Sequence, residues 1–138
     1  MARLEMRESR RGTTTLEMAL VLPLLLLLTF ALIEYGWLFL RAQEITNGAR
    51  QGARTAVCPD ATNADVQASI YAAMEAAGIA GYLVTFSPEN VQDENLHPGD
   101  PVTITLRVPY ENVRLIGLPW VPMPQDLRAS VSMAKEGP

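Results

Sequence analysis

Residues 18–40 contain one charged side chain, Glu34, in a stretch that otherwise reads MALVLPLLLLLTFALI before it and YGWLFL after it. As a helix, these 23 residues extend about 34 Å at about 1.5 Å per residue, enough to cross a hydrocarbon core of about 30 Å. Two other fates for such a run fail on size. A chain of 138 residues is too small to wrap a helix that is apolar on every side. A cleaved secretory signal has an apolar core of about 7–15 residues ending at a small-residue cleavage site. Here the run is longer and continues into WLFLRAQE without such a site. The segment is therefore expected to span a membrane and to remain there.

Charge sets the expected direction. Arg3, Arg7, Arg10 and Arg11 stand before the span with Glu5 and Glu8, while from Thr55 onward four cations face ten acids, a net of −6. The positive-inside tendency places residues 1–12 in the cytoplasm and the rest of the chain beyond about residue 41 across the membrane. Tyr35, Trp37 and Phe39 mark the far headgroup region, and Glu34 is expected there with its carboxylate reaching water. The acidic head disfavours nucleic acid, because the counterion-release term has the wrong sign. Cys58 is the lone cysteine, which excludes an intramolecular disulfide and any multi-cysteine metal site.

Nothing breaks the helix at Arg41. Ala42, Ile45, Ala49, Gly52, Ala53 and Ala56 recur at three- and four-residue spacing, opposite Gln43, Asn47, Arg50, Gln51 and Arg54. One helix is expected from about residue 14 to 57, loosened at Pro23 and ended by Cys58-Pro59. Gly48 and Gly52 make a GxxxG pair beyond the span; with Ala49 and Ala53 they read as a groove for close packing of the globular part. Thr62 and Asp65 resemble a capping box for a second helix carrying Val66, Ile70, Ala73, Met74 and Ala77, with Gly78 as its stop. Three alternating stretches follow: Tyr82, Val84, Phe86; Val102 to Tyr110; and Leu127 to Met133. Between the last two strands Pro119, Pro122 and Pro124 make a stiff, extended connection. The expected class is α+β: a long N-terminal helix, its lower half transmembrane, packed against one helix and a three-stranded antiparallel sheet.

The residues just before the span carry a further signal. Arg10, Arg11 and Gly12 are followed by Thr13, then by Glu17-Met-Ala-Leu-Val-Leu-Pro23; Ile33-Glu-Tyr-Gly36 and Asn47-Gly-Ala-Arg-Gln-Gly-Ala-Arg54 come later on the same helix. This arrangement resembles the type III signal of type IV pilins and pseudopilins, and more closely the TadE-like family of tight-adherence (Flp) pilus systems. The likeness is dense over residues 10–56 and looser over the late strands, with Met18 standing where Phe or Tyr is commoner. The resemblance implies a pilin-like fold and a minor pseudopilin of the inner membrane. It implies cleavage by a prepilin peptidase between Gly12 and Thr13, and partnership with other pilins and the assembly platform. The domains would then be a leader over 1–12, a helix over 13–57 and an outer head over 58–138. It also gives Glu17 a role in subunit assembly, with Pro23 beside it. A carboxylate one turn into a span costs free energy, up to about 2.5–3.5 kcal/mol for Asp at a helix centre and less near the interface. A neighbouring subunit's new α-ammonium would neutralise it; the alternative is that Glu17, only one turn inside, merely reaches the inner headgroups.

No nucleophile and base stand in a catalytic pattern; His97 lies in a Pro/Gly loop, and Asp93, Glu94 and Asp100 match no calcium-loop spacing. No enzyme activity, cofactor or metal is expected. Trp120 reads either as an exposed docking residue or as packed over the sheet edge. The rival reading is an uncleaved signal-anchored protein whose head binds an envelope ligand.

Overall fold

The computed structural model describes residues 2–93 and 95–137, with side chains from Thr14 onward. Its first element, helix α1, runs Ala2–Ala56 without interruption at Pro23, so it begins earlier than the sequence pattern suggests. The chain forms two compact units, Met1–Gly36 and Trp37–Pro138.

The first unit is the helix itself. Leu16, Leu20, Leu24, Leu28 and Leu32 are all more than half exposed. Apolar rows of this length need a non-aqueous environment, and the helix fits a single-pass membrane anchor by length and composition. Thr29 Oγ1 donates to Leu25 O at 2.7 Å, which satisfies its hydroxyl within the helix. Glu34 departs from expectation. It is fully buried and is not without a partner. A carboxylate with no exposed surface does not reach water as a snorkelling side chain does.

The second unit is an α+β head with a pilin-like arrangement. After the upper part of α1 comes α2, Asn63–Ala76. Thr62 caps it: Asp65 N donates to Thr62 Oγ1 at 3.2 Å, and Thr62 N donates to Asp65 Oδ2 at 2.9 Å. The helix stops where Gly78 takes φ +66°, a conformation that glycine enters without a Cβ penalty. Strands β1 (Leu83–Ser87), β2 (Pro101–Pro109) and β3 (Asp126–Ala134) form an antiparallel sheet in the order β1-β2-β3. The β2–β3 register sets Leu106 opposite Ala129 and Val108 opposite Leu127.

Alternation decides the faces. Val102, Ile104, Leu106 and Val108 are buried, while Arg107 between them is exposed. The inward residues meet Ile45, Ala49 and Ala53 of α1 and Ile70 and Met74 of α2 in one hydrophobic core. Strand β2 stops one residue short of the sequence reading. Tyr110 instead opens a 3-10 turn, Tyr110–Asn112.

Candidate assembly and packing site

The expected functional residues all lie on α1, but they fall in different surroundings. Gly12 and Thr13, with the expected leader over 1–12, lie outside the residues whose side chains the structure describes. Glu17 and Pro23 are exposed on the apolar helix of the first unit. Gly48, Ala49, Gly52 and Ala53 are buried in the second unit. The expected residues thus make no single cluster.

The small residues let α1 approach the head closely. A Cβ at Gly52 would stand 2.6 and 2.7 Å from Cγ1 and Cδ1 of Ile70, and one at Gly48 would stand 2.9 Å from Met74 Sδ. With no side chain at either position, α2 and β2 pack directly on the helix backbone. The opposite side of α1 stays polar: Asn47, Arg50, Gln51 and Arg54 are exposed and line an open groove with Met133.

Two groups of contacts fix the head around α1, and sequence reasoning missed both. At the lower end of the head, Trp37 Nε1 donates to Val113 O at 2.8 Å. The Arg41 guanidinium lies 4.4 Å from the Trp37 ring centroid, within range of a cation–π attraction. It also donates to Glu44 Oε2 at 2.7 Å and to Ala77 O at 2.6 Å. Ala77 is the C-cap of α2, so the cation meets the negative end of that helix dipole. Trp37, Arg41 and Glu44 share one face of α1 at four- and three-residue spacing, a signal the sequence does contain.

At the upper end, Lys135 Nζ donates to Ala56 O, Cys58 O and Val91 O at 3.1, 2.9 and 3.3 Å. The ammonium takes up carbonyls that a helix end leaves unsatisfied. Glu136 N donates to Val57 O at 3.0 Å alongside it. Nothing in the local pattern around residue 135 announces this contact.

Among the described residues no group of His, Cys, Asp and Glu is arranged to hold a metal ion, and Cys58 is an exposed free thiol. Two carboxyls are held below the usual range: Asp65 by hydrogen bonds from the Thr62 side chain and backbone, and Asp93 by those from Asn95. Burial, and secondarily Tyr71, pushes the Tyr82 phenol up. Trp120 is 62% exposed, which resolves the two sequence readings in favour of an open side chain.

Residues 12–54 match the family model described as TadE-like protein. The chain matches no curated protein and no solved structure.

Proposed function

From the TadE-like character of residues 12–54, we propose that this protein is a minor pseudopilin of a tight-adherence pilus. It is matured between Gly12 and Thr13 by a prepilin peptidase and acts in pilus assembly at the inner membrane. The match itself carries this reading. It begins at Gly12, takes in Glu17 and the apolar run, and continues through the helical stretch ending at Arg54.

The physical logic follows from the residues. Glycine leaves the backbone open to a protease at the membrane surface, and the arginine-rich leader stays on the cytoplasmic side. Cleavage removes four arginines and two glutamates, a net of +2, and creates an ammonium at Thr13. Glu17 of one subunit accepts that ammonium from a neighbour, so the two charges neutralise each other in a medium where each alone is costly. The pairing sets the axial register between subunits as they leave the bilayer. The partners are therefore other pilins and pseudopilins, the peptidase and the assembly platform.

The test is the intact mass and N-terminal sequence of the protein extracted from membranes of cells with an active peptidase. A chain starting at Thr13 is expected. A chain retaining Met1 or Ala2 overturns the reading and leaves a signal-anchored protein with an outer head. Gly12→Val should accumulate the unprocessed form, and normal processing of that variant would count against the motif.

A further inference from the structure

Helix α1 leaves its apolar stretch through Tyr35, Trp37 and Phe39, aromatic residues of the kind that settle at a headgroup boundary. The head is tied to that level by the 2.8 Å hydrogen bond from Trp37 Nε1 to Val113 O. Val113 stands near the start of the long connection from β2 to β3. The connection is closed at its base, where Tyr110 N donates to Gln125 O at 3.0 Å. Val113 N and Arg114 N both donate to Tyr110 O, which fixes the turn from which the connection emerges. It is a compact loop whose ends meet.

The side chains that follow Val113 are large, apolar and open. Leu115 is 48% exposed, Ile116 46% and Trp120 62%. Between Glu111 and Asp126 the sequence contains no carboxylate and one cation, Arg114. This stretch lies in a region whose overall balance from Thr55 onward is net −6. Pro119, Pro122 and Pro124 stiffen the loop, on which Leu115, Ile116 and Trp120 stand exposed while Leu118, Val121 and Met123 are half-buried.

We infer that residues 113–121 form a second membrane contact, a foot that enters the outer headgroup region beside Trp37. Leu115, Ile116 and the Trp120 ring sit at the shallow acyl boundary, about 5–10 Å deep, as amphipathic surface elements do. Arg114 keeps its guanidinium at the level of the lipid phosphates. The bilayer is the occupant because the loop is bonded to the residue that marks its edge. The foot thereby gives the head a membrane contact of its own. The inference rests on α1 being a membrane anchor; it does not depend on cleavage or on the pilus role.

The test uses the full chain reconstituted in vesicles of phosphatidylethanolamine and phosphatidylglycerol. A nitrobenzoxadiazole label is placed at Ile116→Cys in a Cys58→Ser background. The same label on native Cys58 is the aqueous reference: it is exposed and lies 21 residues beyond Trp37, about 30 Å along a helix. The label at 116 should be blue-shifted, quenched severalfold more by headgroup-proximal spin-labelled lipid than the label at 58, and severalfold less by iodide. Equal iodide quenching at the two positions overturns the proposal. Protection at 116 from both quenchers also overturns it, because the cover is then protein. Trp120→Cys in the same background repeats the measurement at a second point, guarding against a local distortion at 116.

Discussion

Gly48 and Gly52 are separated by one helical turn, and the GxxxG spacing alone does not tell them apart. What faces them does. Alanine is worth about 1 kcal/mol over glycine in a helix interior, whereas overpacking a filled core costs about 1–3 kcal/mol. At Gly48 the first obstacle is Met74 Sδ, part of a flexible side chain that can turn aside. At Gly52 it is both Cγ1 and Cδ1 of Ile70, and a β-branched side chain on a helix has little rotamer freedom. Gly48→Ala should leave stability within about 0.5 kcal/mol of the parent, while Gly52→Ala should lose about 1–2 kcal/mol. Urea unfolding of the full chain in detergent, followed by near-ultraviolet circular dichroism of the head, checks both. Glu34 teaches the same lesson at one residue. Its position in the sequence suggested water, but burial belongs to what lies across from a residue, and no local pattern records that.

At the scale of elements, the legible features are those whose partners lie a few residues apart. The capping box joins Thr62 to Asp65, and the period-2 runs place β1, β2 and β3 within a residue of where they fall, because alternation is local. The missed contacts join distant parts of the chain: Arg41 to Ala77 O, and Lys135 to Ala56 O. Each kind makes a prediction. Hydrogen bonds from Thr62 hold the Asp65 carboxyl below its ordinary value of 3.8, so the charged form is favoured in the folded head. That stabilisation is complete above the ordinary value and drains away as the pH falls through the lowered one. Asp65→Asn should therefore flatten the fall in melting temperature on acidification below about pH 4. Lys135→Met removes a charged donor from three carbonyls and should cost about 1–3 kcal/mol, read as a lower urea midpoint with an unchanged slope.

For the whole molecule, the anchor and the head answer to different solvents, and a substitution in one should spare the other. Glu17 lies on the anchor, exposed and remote in sequence from every core residue of the head. Glu17→Ala should insert at least as well as the parent, since a charge is removed from an apolar stretch. Processing should persist and the head's unfolding midpoint should be unchanged, while piliation in a complemented deletion strain falls sharply; unchanged piliation removes the pairing between Glu17 and Thr13. The topology also imposes an order in time. Strand β3 closes one side of the core with Leu127 and Ala129, and Lys135 just past it ties off the end of α1. A nascent chain delivers the helix first and its covering strand last. During synthesis, the glycine-lined groove therefore stays open to solvent and to holding chaperones until β3 has been made, and a ribosome stalled before residue 126 would leave a tethered head with its seam unsewn.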